Sequence, residues 1–182
     1  MVDVYKQPKP YILSKNGWGA EPANGCSGSN NPEYIIIHHT GDANDELANY
    51  FGDDEEGFMK RIQEIHMNDN GWCDIGYNYA VGVNGLLMEG RNPNVTGAHA
   101  YGYNSKSIGV VVLGNYDIRD FTVKQENKLV DLLAWLCYKY AIDYNTHIIG
   151  HRDVANKSCP GDNIYSRLST IKDKVRDRFD IV

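Results

Sequence analysis

Three places in this sequence carry donor atoms suited to a soft metal ion. His38 and His39 end the apolar run Tyr34-Ile35-Ile36-Ile37. His151 follows a second apolar run, Ile148-Ile149-Gly150, and Cys159 stands eight positions later, just before Pro160-Gly161. Two imidazoles and a thiolate suit Zn²⁺, a borderline-soft ion that takes nitrogen and sulfur ligands. Three protein ligands leave a fourth position open, which separates a catalytic zinc from a closed structural one. Neighbouring side chains on a strand face opposite ways, so His38 and His39 are not expected to share one metal, and residue types alone do not select between them. The same residues have ordinary uses. A strand histidine is commonly a satisfied core group, a cysteine before proline an inert thiol, and His151-Arg152-Asp153 a charged turn. A shared site requires that the strands ending at His38 and before His151 be neighbours.

The elements that must position these groups are legible from periodicity. Residues 34–38 are apolar on both faces, the mark of a central strand. Phe58, Ile62 and Ile65 recur at helical spacing within 54–69. Residues 77–90 hold two β-rich runs joined by Asn84-Gly85, a hairpin signal, and residues 108–114 read as another buried strand. Thr122 with Gln125 forms a capping box that opens a helix carrying Leu129, Leu132, Leu133, Leu136 and Tyr140 on one stripe. A short strand, 146–149, follows. A last helix from about Asp162 presents Ile164, Leu168, Ile171, Val175 and Phe179. The expected fold is α/β: a mixed central sheet flanked by about three helices, in one domain spanning 1–182. Residues 1–32, rich in Pro, Gly, Asn and Ser, are expected to form an arm packed on the domain and anchored by Trp18.

Composition narrows the function classes. The chain has 182 residues, 42% hydrophobic and 23% charged, which is enough to bury a core without staples. The net charge of -6 disfavours binding to a phosphate backbone, so no nucleic-acid partner is expected. No apolar stretch approaches the roughly 20 residues of a membrane span, and MVDVYKQPKPY has no apolar signal region. The 13 tyrosines and 3 tryptophans suit a carbohydrate or peptide surface as well as a core. The four cysteines are widely and irregularly spaced, with no CxxC pair. With Cys159 reserved for a metal, full pairing fails. Free thiols are expected at Cys26, Cys73 and Cys137, Cys137 as a small buried hydrophobe; a Cys26–Cys137 bridge would be the exception. A monomer is expected.

Taken together, YIIIHHT, GWCDIGYNYAVGVNG, MEGR, GAHAYGYNSKSIGVVVLGNYD and HIIGHRDVANKSCPGD resemble, in order, the type 2 N-acetylmuramoyl-L-alanine amidases, which share their fold with peptidoglycan recognition proteins. SKNGWGA matches the recognition-protein pattern. The resemblance covers roughly residues 10–170.

This resemblance implies a zinc site of His38, His151 and Cys159. It implies a catalytic tyrosine at Tyr77 of DIGYN and a further catalytic group at Lys157, two residues before the ligand cysteine. Lysine there matches phage or bacterial members. His99 and Asn104 match positions that line the substrate groove, and His39 is expected to hold the strand end. His66 and His147 have no motif behind them and are read as structural. The implied reaction is hydrolysis of the amide between the lactyl group of N-acetylmuramic acid and L-alanine in bacterial peptidoglycan. The alternative is a module that recognises muropeptide without cutting it; such members typically lack the cysteine. Residues 40–65 lack the cysteine that animal members use for a disulfide. Together with the missing signal, this points to an endolysin or autolysin made in bacterial cytoplasm that acts at the wall after release. The pair Asn92-Pro93 matches neither known pattern of stem-peptide preference.

Overall fold

The computed structural model describes residues 6–180. Five strands form one sheet: β1 (Tyr34–His39), β2 (Tyr79–Val81), β3 (Leu87–Glu89), β4 (Ser107–Val112) and β5 (Ile148–Gly150), in the order β3-β2-β4-β1-β5. β1 runs parallel to both β4 and β5, β2 runs parallel to β4, and only the β2–β3 pair is antiparallel. The sheet is therefore mixed. The apolar run 35–37 is fully buried on β1, an interior strand paired on both sides, although the middle strand of the five is β4.

Two apolar layers cover the sheet. On one face, α3 (Val123–Tyr140) and α5 (Leu168–Asp180) pack Leu129, Leu132, Leu133, Leu136, Ile171 and Val175 against Ile35, Ile37, Ile108, Val110 and Val112. On the other, α2 (Glu55–Glu64) sets Phe58, Met59 and Ile62 against Ala80, Met88, Val111 and Leu113. The alternation of strand side chains fixes which β1 residue joins which layer. The capping box at Thr122 is present in both directions: Gln125 N donates to Thr122 Oγ1, and Thr122 N donates to Gln125 Oε1, each at 3.2 Å.

Several boundaries differ from the sequence reading. The expected helix over 54–69 is α2 followed by a π-helical turn, Ile65–Asp69. A short α1 (Glu46–Phe51) precedes it, and its six residues are too few to show a period. The last helix breaks into α4 (Asp162–Tyr165) and α5. The hairpin does not turn on a two-residue Asn84-Gly85 loop. Gly82 N donates to Leu86 O, enclosing three residues, and Gly85, at φ +88°, closes the turn as glycine allows.

The arm adds a backbone ladder to β3: Leu13 N donates to Leu87 O, and Glu89 N to Leu13 O. Trp18 is buried and its Nε1 donates to Glu89 O at 2.8 Å. Part of the arm, residues 1–5, lies outside the described residues. The expectation of free thiols at Cys26 and Cys73 is wrong: the two form a disulfide, with Cα atoms 5.2 Å apart. The arm doubles back over the loop before β2, where Asn24 N donates to Cys73 O, and this brings together positions separated by 47 in sequence. Cys137 and Cys159 are free, and Cys137 is buried. No helix among the described residues is long and apolar enough to cross a membrane.

Candidate active site

Parallel pairing of β1 with β5 sets Ile37 opposite Gly150. The next residue of each chain segment, His38 and His151, therefore emerges at the same edge, with ring centroids 4.4 Å apart. The loop after β5 returns Cys159 to the same point, and its Sγ lies 3.6 Å from His38 Nδ1. Among the described residues, His38, His151 and Cys159 are the one group of three such side chains whose donor atoms all lie within 4.8 Å of one another. The sheet resolves the ambiguity of the histidine pair. His39 points to the opposite side, where its Nδ1 accepts the N–H of Tyr116 at 3.0 Å.

The donor set fits zinc. Burial, followed by the nearby rings of His99, His151 and His39, holds His38 well below its ordinary pKa. Burial and then Lys157 lower that of His151. Both shifts favour the neutral ring, the form that binds metals. Burial raises the Cys159 thiol to about 11, against the pull of the His39 N–H, Lys157 and Arg152. None of the three donors is a carboxylate, which disfavours a hard ion.

The other expected residues gather around this triplet. The Tyr77 ring lies 5.2 Å from that of His38, centroid to centroid. Burial, and secondarily Cys159, raises its phenol pKa, so the hydroxyl keeps its proton at neutral pH. Lys157 is exposed and lines a cleft of about 430 Å³ with His38, Tyr77, His99, His151 and Cys159. A second cleft of about 610 Å³ shares His99, His151 and Lys157 and extends past Trp72, Tyr101 and Asn104. The two clefts form one groove with a polar end at the triplet and an aromatic end, where Tyr101 is 98% exposed.

His99 and Asn104 sit in the groove wall, but their polar atoms are engaged within the protein. His99 Nδ1 lies 3.0 Å from His38 Nε2. Asn104 Oδ1 accepts the N–H groups of His99 and Ala100 at 2.8 and 2.9 Å, the Asx-type turn that an Asn side chain favours. His147 is remote from the triplet, against the ring of Tyr34, whereas His66 accepts the Gly76 N–H beside Trp72.

Several supporting residues were not found from the sequence. Arg91 is buried and donates to the carbonyls of Asp74, Ile75 and Thr96, which clamps the segment leading into Tyr77. Asp117 accepts from Ser158 Oγ and Asp162 N, anchoring the loop that carries Lys157 and Cys159. Arg152 donates to Ser158 O and Asp162 Oδ1 of the same loop. The charged turn His151-Arg152-Asp153 is thus also a loop clamp. A sequence signal for Arg91 and Arg152 existed in MEGR and GHRD, but a motif does not reveal that its arginine points inward.

Residues 28–162 match the family model described as N-acetylmuramoyl-L-alanine amidase. The chain is 38% identical over 162 residues to peptidoglycan-recognition protein SC2 of Drosophila melanogaster, covering 87% of this chain and 85% of that protein. Among solved structures it is similar to Drosophila PGRP-LB, at 32% identity and a TM-score of 0.76, with 88% of this chain and 93% of that one covered. It is also similar to the N-acetylmuramoyl-L-alanine amidase LysC from Clostridium intestinale, at 31% identity and a TM-score of 0.73, with 92% and 98% covered. A tyrosine-to-phenylalanine variant of PGRP-LB has been solved in complex with tracheal cytotoxin.

Proposed function

Since the chain belongs to the N-acetylmuramoyl-L-alanine amidase family, we propose that its groove binds peptidoglycan and, with zinc held by His38, His151 and Cys159, hydrolyses the amide between N-acetylmuramic acid and L-alanine. The observation that carries this reading is the convergence of those three donors from two neighbouring strand ends and one loop. The chemistry zinc supplies when bound is Lewis-acid polarisation of the amide carbonyl and a water made nucleophilic near neutral pH.

The protein's own groups would do the rest. Tyr77, with its proton retained, is a hydrogen-bond donor beside His38, suited to orienting a reacting oxygen or passing a proton to the leaving amine. Lys157 supplies a fixed-sign charge at the rim, where a developing oxyanion is favoured. The aromatic end of the groove, Trp72 and Tyr101, offers faces for the apolar surface of a sugar or stem peptide.

A role as an endolysin or autolysin belongs to the same proposal. The Cys26–Cys73 bridge supports action outside the reducing cytoplasm, closing after release into an oxidising setting.

The test is digestion of purified sacculi, with mass spectrometry of the fragments and zinc measured on the same sample. Release of stem peptides with a free L-alanine amine supports the proposal. Binding without fragments points to the second reading, recognition without cleavage, which the likeness to recognition proteins favours.

A further inference from the structure

His99 lines the groove as expected of its motif position, and its ring is wedged into the groove wall. Two glycines make the slot. A Cβ on Gly109 would come within 2.6 Å of the His99 ring, and one on Gly97 within 2.8 Å. Neither glycine has a positive φ, so space rather than backbone conformation calls for them. Asn104 holds the backbone of His99 in register.

The ring's hydrogen-bond partners are ordered. Ser107 Oγ donates its single proton to Tyr103 O at 2.8 Å. Towards His99 Nε2, 3.4 Å away, that hydroxyl presents lone pairs. His99 therefore carries its proton on Nε2 and offers a lone pair at Nδ1. Two N–H groups cannot face each other across the 3.0 Å between His99 Nδ1 and His38 Nε2, so His38 is the donor in that pair. A neutral His38 with its proton on Nε2 has its lone pair on Nδ1, the atom that faces Cys159 Sγ.

We propose that His99 is a positioning residue that fixes the tautomer of His38, through the chain Tyr103 O, Ser107, His99 and His38, so that Nδ1 of His38 is presented to the metal. This rests on the zinc reading above and assigns His99 to the support of a metal ligand rather than to substrate contact. Outer partners of this kind typically contribute about 10–100-fold to metal affinity.

Two measurements test it. Long-range ¹H–¹⁵N spectra of the imidazole rings in metal-free protein should show His38 and His99 both as Nε2–H tautomers. A His38 ring protonated on Nδ1 overturns the proposal. Zinc affinity by chelator competition should fall about 10–100-fold in His99→Ala. His99→Asn, whose Oδ1 can occupy the place of Nδ1 and accept the same proton, should stay within a few-fold of wild type. Gly109→Ala should weaken zinc with every ligand intact. Equal affinity of wild type and His99→Ala, or His99→Asn as weak as His99→Ala, overturns it. Wild-type protein that takes up no zinc rejects the zinc reading instead, and the tautomer spectra still decide the role of His99.

Discussion

His39 Nδ1 accepts the backbone N–H of Tyr116, and one residue earlier His38 faces Cys159 across the opposite side of the strand. The two histidines therefore have separable jobs. His38→Ala should abolish stoichiometric zinc. His39→Ala should keep most of it and instead loosen residues 114–117, because the Tyr116 N–H loses its partner; an unsatisfied buried donor costs about 1–3 kcal/mol. Metal analysis and thermal melts of both variants check this, and zinc loss confined to the His39 variant would reverse the assignment.

Tyr77 and Lys157 should affect rate rather than metal. Neither is a usual zinc ligand, so Tyr77→Phe and Lys157→Ala should retain zinc and fold. Turnover should fall about 10²–10⁴-fold for the tyrosine and about 10²–10³-fold for the lysine. Muropeptide binding should change far less, since both act mainly on the transition state. Sacculus clearing near the wild-type rate by Tyr77→Phe would remove that hydroxyl from the mechanism.

Thiol titration of denatured, unreduced protein should find two reactive thiols, Cys137 and Cys159, and four after reduction. Cys26→Ser should lower stability by about 2–4 kcal/mol, the usual worth of a bridge. Four thiols before reduction would contradict the pairing.

Stability should also report on His66. Burial lowers its pKa from 6.5 to about 4, and its neutral Nδ1 accepts the Gly76 N–H. The folded state thus resists a proton that the unfolded state accepts, so stability is full above the ordinary value of 6.5 and declines as pH falls from there towards about 4. Denaturant melts across that range should show His66→Gln with a shallower decline than wild type. Parallel curves would mean that His66 is protonated in the fold.

What the sequence disclosed was mainly local. The Thr122 capping box, the stripe of α3 and the apolar centre of β1 follow from neighbours within a few residues, and each is found where its pattern puts it. The three donors were legible as types and as motifs, but their meeting depends on β1 lying beside β5, a pairing between residues more than a hundred positions apart. The choice of His38 over His39 likewise needed the sheet, because alternation is symmetric until one face is assigned. The Cys26–Cys73 bridge was hidden because an arm without hydrophobic period gives no sign of where it doubles back. The direction of the His99 ring was hidden for another reason: it is set by two absent side chains, at Gly97 and Gly109.

The bridge also has a bearing on survival among proteases. It closes a covalent ring that contains all of β1, α1 and α2. A single cut anywhere inside that ring leaves one molecule, in which the segment bearing His38 stays tethered to the segment bearing Tyr77, His151 and Cys159. A nicked chain would keep its mass, plus one water, until a reductant splits it into two fragments.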